Sequence, residues 1–360
     1  RDFVPSRGLG DVYKRQLLFS IVSGFFALRT EIVQMYLVEM QAEQTLNRPS
    51  PLPEEDSLSG LLCGSRGPLP SVGTAETCIL IKAGERMFIV DAGDGSITNL
   101  RDWGIDLGKI EAFLLTHTHS DHFSDLADLH LNAWVTQNRT DKLKVYGPEG
   151  TQKVTDGFEA TYALDYKWRY EHHGNDVAPI EFAGFDTHII DIESSIVIED
   201  DDLKVTAFLV DHDPVKPSIG YRFDYKGRSI TISGDTSYSE NVIKHADKTD
   251  LLFHEALSYR LNKAGATAAY KVDETGNLST VLIDVLDYHT SPTQAAKAAQ
   301  SAKAKHLIFY HLIPYPEGLV AKMLFFDGVN DIYKNWTIGR DGVMGILTLN
   351  SDKVKITYID

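Results

Sequence analysis

The chain has 360 residues, 43% of them hydrophobic and 24% charged, a globular balance that excludes a disordered or fibrous protein. Acidic residues number 51 against 35 Lys plus Arg, for a formal charge of −16, so the overall balance lacks the basic excess of a typical nucleic-acid binder. The two cysteines, Cys63 and Cys78, are too few for a disulfide framework or a thiolate metal site and read as small buried hydrophobes near early strands.

Along the chain, the first methionine is Met35. Upstream, Lys14 and Arg15 precede an apolar run, Leu17 to Leu28, which has the flanks of a secretory h-region and is too short to span a bilayer. No small-residue cleavage pattern follows it, so a surface or interface helix competes with a signal. The localisation is cytoplasmic on the first reading, periplasmic or secreted on the second. Arg48 to Pro53 holds three prolines and reads as a linker. This divides the chain into an N-terminal segment, 1–57, and one domain, 58–360.

From Leu58 onward the pattern is short apolar runs, each closed by residues able to do chemistry. Met87–Val90 ends at Asp91, Ala112–Leu115 at Thr116-His117, Val205–Val210 at Asp211-His212, and Ser229–Ile232 at Gly234-Asp235. Leu251–Phe253 ends at His254-Glu255, and Leu307–Tyr310 at His311. Runs this short and rich in Val, Ile, Leu and Phe predict buried strands. The acidic run Glu199–Asp202 predicts a solvated hairpin turn. Ser291 as N-cap and Pro292 at the first helical position predict a helix through Ala304. Alternating strands and helices predict a layered α/β fold.

One segment dominates the chemistry: Thr116-His117-Thr118-His119-Ser120-Asp121-His122. His117 and His119, two apart, leave the same face of an extended segment and can grip one ion. Asp121 and His122 turn toward a second position. His212 would complete a three-histidine set with His117 and His119, His311 would join Asp121 and His122, and Asp235 could bridge the two. Imidazole and carboxylate without sulfur suit zinc, with manganese or iron as alternatives.

His117-Thr-His119-Ser-Asp121-His122 resembles the His-x-His-x-Asp-His signature of the metallo-β-lactamase superfamily, whose fold is a four-layer αββα sandwich. The remaining motifs are similar to the ribonuclease Z (tRNA 3′-processing endonuclease) branch. They are Leu62 to Ser71, the Tyr146-Gly147-Pro148 turn, Asp211-His212 through Arg222, Ser233 to Thr236, His254-Glu255-Ala256, and Tyr288 to Ser291 before the alanine-rich helix and His311. The resemblance spans Leu58 to Tyr315 in order. It implies two metal ions, a homodimer, and a hydroxide nucleophile held between the ions. On the same resemblance His289 is the acid that protonates the leaving group, with Glu255 orienting it and His254 in a supporting catalytic part. Asp91 is expected to fix a ligand imidazole by accepting its hydrogen bond.

Two departures separate the chain from that branch. The long arm that grips tRNA is expected between the third-histidine segment and Asp235, where only Phe223 to Ile232 lies, with Lys226-Gly227-Arg228 as a turn. After His311 the chain reads Leu312-Ile313-Pro314-Tyr315, without the branch's arginine. An aromatic insert near 158–193 begins with Phe158, Tyr162, Tyr166, Trp168 and Tyr170, followed by His172 and His173. It is either a helix packing its aromatic face on the core or a pocket wall. His130, His188, His245 and His306 have no ligand-like setting. The expected function is therefore a dinuclear hydrolase of small esters, phosphodiesters first and carboxylic esters, lactones or β-lactams after. A tRNA 3′-processing enzyme is the alternative, with nucleic acid disfavoured as partner and no stable membrane span.

Overall fold

The structure, a computed structural model, describes residues 13–14, 16–21, 28–192, 195–272 and 275–359. The chain divides into two compact units, residues 1–50 and 51–360. In the first, the helix Glu31–Leu46 buries none of its side chains. Part of the apolar run Leu17–Leu28, residues 22–27, lies outside the described residues. No helix among the described residues is long and apolar enough to cross a membrane. The second unit begins inside the proline-rich stretch, where Leu52 packs into the core beneath the first strands.

The strands of the second unit run β1 (Ser57–Gly64), β2 (Cys78–Ala83), β3 (Arg86–Val90), β4 (Ile110–Leu114), β5 (Leu143–Gly147), β6 (Phe185–Ile189), β7 (Ile196–Glu199) and β8 (Leu203–Val210). They continue with β9 (Ser218–Tyr225), β10 (Arg228–Ile232), β11 (Leu251–Leu257), β12 (His306–Ile313), β13 (Trp336–Ile338), β14 (Val343–Thr348) and β15 (Lys355–Tyr358). One sheet has the order β15-β14-β1-β2-β3-β4-β5-β6 and the other β13-β12-β11-β10-β9-β8-β7.

Side-chain alternation along each strand builds the layers. Leu62, Ile79, Ile81, Phe88 and Val90 face inward against Phe223, Ile232, Phe253 and Tyr310 of the other sheet. Their neighbours Leu61, Leu80 and Ile89 face outward onto Ile97, Leu100, Leu126 and Leu129, which lie on helices. On the far side, Phe208, Leu252, Leu307 and Phe309 receive Ala295, Ala296 and Ala299 of the helix Pro292–Ser301. The result is the four-layer αββα sandwich. That last helix starts with a capping box in which Ser291 and Gln294 bond each other's backbone N–H. The acidic run is the β7–β8 hairpin turn, and β9 meets β10 across Lys226 and Gly227.

One expectation changes, and one open alternative is settled. Cys63 and Cys78 form a disulfide, with both residues fully buried. The β1–β2 register slips between Leu62 and Gly64, which leaves Cys63 as an extra residue beside Cys78. The aromatic insert opens with the helix Thr151–His173, whose Phe158 meets Tyr162 edge-on while Tyr162 stacks on Tyr166. Tyr166 meets Trp134 edge-on at 5.4 Å, while Trp168 is 59% exposed and none of these rings reaches the site described below. The helix-packing reading holds.

Beside this cluster His130 is fully buried and its Nε2 accepts the Gly184 N–H at 2.9 Å. Burial, reinforced by Arg139 and Lys142, pulls the imidazole down to about 3. The folded chain thus keeps His130 neutral where the unfolded chain would protonate it, so stability falls as pH drops. The loss is roughly 1.4 kcal/mol per pH unit between about 6.5 and 3. Urea midpoints measured from pH 7 to pH 4 should show this slope in the wild type and a shallower one in His130→Gln. Equal slopes would remove His130 from the account.

Candidate metal centre

The clustered ligands sit at or near strand ends, whereas His289 comes from the loop between the helices Asn277–Asp284 and Pro292–Ser301. Leaving β4, Leu115 donates to the carbonyl of Tyr146, and its own carbonyl accepts from the Tyr221 hydroxyl at 2.6 Å. The next carbonyl, of Thr116, accepts the N–H of Ile219 at 3.0 Å. Sheet two therefore holds the start of the His117–His122 loop. Gly93 passes so close to that loop that a Cβ there would fall 2.1 Å from the Asp121 carbonyl oxygen. His311 is the extra residue of a bulge, because Glu255 pairs with Tyr310 while Ala256 pairs with Leu312. Its φ of 47° is left-handed, which costs a non-glycine residue about 1–3 kcal/mol and re-aims the ring out of the strand's alternation. Asp91, at φ 58°, is the other left-handed residue of the site.

Two clusters share one carboxylate. His119 Nδ1 lies 3.0 Å from His117 Nε2 and 3.2 Å from His212 Nε2, and both Nε2 atoms are 3.9 Å from Asp235 Oδ2. The same Asp235 Oδ2 lies 3.2 Å from His122 Nε2 and 3.1 Å from His311 Nε2. Asp121 Oδ2 completes the second cluster, 3.2 Å from His311 Nε2 and 3.6 Å from His122 Nε2. All seven residues read from the sequence as ligands are brought together, five of them imidazoles.

The nitrogens of His117, His122 and His212 turned away from the clusters are engaged, while His311 Nδ1 is buried without a hydrogen-bond partner. His122 Nδ1 donates to Asp91 Oδ2 at 2.8 Å, and Asp91 also accepts the Thr116 N–H and hydroxyl, each at 2.8 Å. Thr116 Oγ1 in turn lies 3.1 Å from His117 Nδ1. His212 Nδ1 lies 3.1 Å from the carbonyl oxygen of Tyr288. These partners fix the tautomers so that the lone pairs point inward. His122 Nε2 and Asp235 Oδ1 are buried and have no hydrogen-bond partner. Electron-rich atoms facing one another this closely need a cation between them, and nitrogen and oxygen donors without sulfur fit a divalent metal.

The charges divide the two clusters. Burial holds His117 and His119 below the usual imidazole range and takes His212 down to about 4, so these three remain neutral donors. Burial also opposes charge on His122 and His311, but Asp235 and Asp121 outweigh it and raise both. Against its own burial, Asp121 is held at about 2 by His122 and His311, and Asp235 is held well below the usual carboxylate range by the same pair.

Beside the shared carboxylate, a His289 nitrogen lies within 4.8 Å of ligand atoms of Asp235 and His311, and its ring stacks on His311. Its Nδ1 is 3.1 Å from Glu255 Oε1, which also accepts the N–H groups of Thr290 and Thr236. His254 is not brought to the site. Adjacent strand residues face opposite ways, and Glu255 faces the site, so His254 points away. It is fully buried, with Nδ1 2.9 Å from the Glu255 carbonyl oxygen. His130, His188, His245 and His306 also stand outside the clusters, and His172 and His173 are exposed.

A cavity of about 210 Å³ opens over the centre. Asp121, Asp235, His119, His289 and His311 form its floor, and Pro68, Leu69, Val281, Leu282, Val285 and Ile313 its walls. The sequence reading missed these walls, and it missed Thr116. The apolar spacing of Val281, Leu282 and Val285 was the available signal for the former.

The model of the beta-lactamase superfamily domain matches residues 86–312. Ribonuclease Z of Mycolicibacterium gilvum (strain PYR-GCK) is 30% identical over 255 residues, which cover 70% of this chain and 83% of that protein. Among solved structures, the metallo-β-lactamase fold protein YhfI from Bacillus subtilis superposes with a TM-score of 0.60 at 17% identity, covering 81% of this chain and all of that one. The short form of human tRNase Z does so with a TM-score of 0.56 at 22% identity, covering 79% and 98%. The fold and the paired clusters define a metal-dependent hydrolase of the metallo-β-lactamase superfamily. Within it, the chain belongs to the ribonuclease Z-like branch, with a tight β9–β10 turn where that branch's arm is expected.

Proposed function

We propose that the chain is a dinuclear phosphodiesterase acting on small esters. In this reading His117, His119 and His212 would hold one ion, Asp121, His122 and His311 would hold the other, and Asp235 would serve both. Zinc suits the set best, with manganese and iron as alternatives. When bound, two such ions supply hydroxide near neutral pH and Lewis acidity toward the ester oxygens. Asp91 orients His122. His289 protonates the departing alkoxide from Nε2 while Glu255 accepts from Nδ1 and fixes the ring.

The observation that carries this reading is the His289–Glu255 pair beside Asp235. An alkoxide leaving group needs a proton donor, whereas a strained lactam or an aryl ester departs without one. The apolar cavity walls and the absence of lysine or arginine from the lining favour a small substrate over a polyanion.

A second reading, tRNA 3′ processing, is favoured by the 30% identity to a protein named ribonuclease Z. Against it stands the β9–β10 turn, where Lys226 is tied to Asp56 at 2.8 Å and Arg228 to Asp250 at 3.0 Å. Zinc- or manganese-loaded protein should hydrolyse a bis-aryl phosphodiester faster than an aryl ester, a lactone or a cephalosporin. It should cleave pre-tRNA poorly, with only a shallow loss of RNA affinity in salt; a steep loss would support the second reading. Efficient pre-tRNA cleavage with no turnover of the small substrates would replace the first reading with the second.

A further inference from the structure

The helix Asn277–Asp284 carries an apolar stripe that the core does not use. Leu278, Val281, Leu282 and Val285 are spaced i, i+3, i+4, i+7 and share one helical face. In a globular protein such a face normally packs inward. Here Leu282 is the helix's only buried residue, while Val281 is 52% and Leu278 51% exposed. Val281, Leu282 and Val285 line the cavity over the metal centre. The stripe therefore runs from the cavity wall out to Leu278 at the surface.

The opposite wall is apolar as well. Pro68 and Leu69 come from the loop between β1 and β2, and Ile313 from the end of β12. Two features hold that loop in place. Cys63 and Cys78 are joined at its base, and Arg66, itself 7% exposed, bonds the carbonyl oxygens of Gly67 and Thr74 and the carboxylate of Glu76. At Gly67 a Cβ would lie 2.6 Å from Ile313 and 3.1 Å from the His311 ring, so the loop sits directly on the centre. The cavity thus has a charged floor, rigid apolar walls, and an apolar track leading out along one helix. No lysine or arginine borders it among the described residues.

We infer that the substrate is an amphiphilic ester, in which a single anionic phosphoryl group sits on the metal centre and an unbranched alkyl or acyl chain lies along Val285, Leu282, Val281 and Leu278. This rests on the phosphodiesterase reading and names the substrate class of that site. A chain about 8 carbons long spans roughly 10 Å, close to the rise between residues i and i+7 of a helix. Full burial of each methylene favours binding about fourfold, and a track open on one side gives about twofold.

The test is calorimetric binding of linear alkylphosphonates, methyl to octyl, to the metal-loaded full chain. In the wild type Kd should fall about twofold per added methylene. In Leu278→Ser/Val281→Ser the decrement per methylene should largely vanish, because both positions are half-exposed and the helix has no need of them to fold. Ile283→Ser, on the same helix but off the stripe, should keep the wild-type series. A flat series in the wild type, or one the double substitution leaves intact, overturns the proposal. A flat series together with a dimer that Leu278→Ser dissolves in sedimentation also overturns it and assigns the stripe to a second copy of the chain. Chain-length-dependent binding without hydrolysis of any phosphodiester keeps the track and sinks the catalytic reading. Hydrolysis with a flat series does the reverse.

Discussion

Asp235→Ala is expected to lower metal content from two ions per chain to one or none and to abolish hydrolysis. One of its oxygens, Oδ2, lies within 3.9 Å of a donor nitrogen from each of His117, His122, His212 and His311. Neither cluster is complete without it. Loss of a group that merely orients a ligand already costs about 10–100-fold in metal affinity, so loss of the shared ligand should exceed that range. Metal analysis after exhaustive dialysis reads the stoichiometry directly. Thermal unfolding with and without added zinc reads it a second way, since an ion at 100 times its Kd stabilises a folded chain by about 2.7 kcal/mol. Asp235→Ala should lose most of that increment. Retention of both ions would mean that the two clusters do not share a ligand.

His289→Ala should behave differently. Its metal content should match the wild type while kcat falls by about 100-fold to 10,000-fold for esters with poor leaving groups. For a nitrophenolate, which departs without a proton, the loss should be much smaller. That contrast separates an acid from a residue that simply shapes the cavity. Glu255→Gln should weaken the same contrast by a lesser factor, because Thr290 and Thr236 still hold the position while the acceptor for Nδ1–H loses its charge. A His289→Ala defect equal across good and poor leaving groups would remove the proton-transfer role.

Much of the site could be read from the sequence because its residues sit next to strands that betray themselves. His117 to His122 follow an apolar run whose burial needs no partner information, and Asp235, His212 and His311 mark strand ends in the same way. Even the bulge at His311 leaves a trace. Ile308 and Tyr310 face inward and Phe309 and Leu312 outward, so the alternation resumes only if His311 is skipped.

What stayed hidden depends on register and packing. The Cys63–Cys78 bond needs the slip in the β1–β2 pairing, which no count of cysteines foretells. His254 looked catalytic because it adjoins Glu255, yet on a strand that adjacency is what sends it to the other side. The aromatic helix drew attention as a pocket wall through ring content alone, whereas the actual wall is an eight-residue helix with a modest stripe. Of the strands that follow His311, β13 and β15 are too short and mixed to stand out, and the apolar run of β14 went unread.

Those last strands bear on how the molecule is assembled. β14 pairs with β1, joining Ser57 to Thr348 and Leu61 to Met344, and so returns to the first sheet after the second has been built. During synthesis from the N-terminus, β1 waits with one edge bare until Val343–Thr348 has been made. Every residue of the centre, His311 included, emerges before that edge is covered. The nascent chain can therefore gather its ligands while the sheet supporting half of them is still open, and closing that edge is the late step that follows.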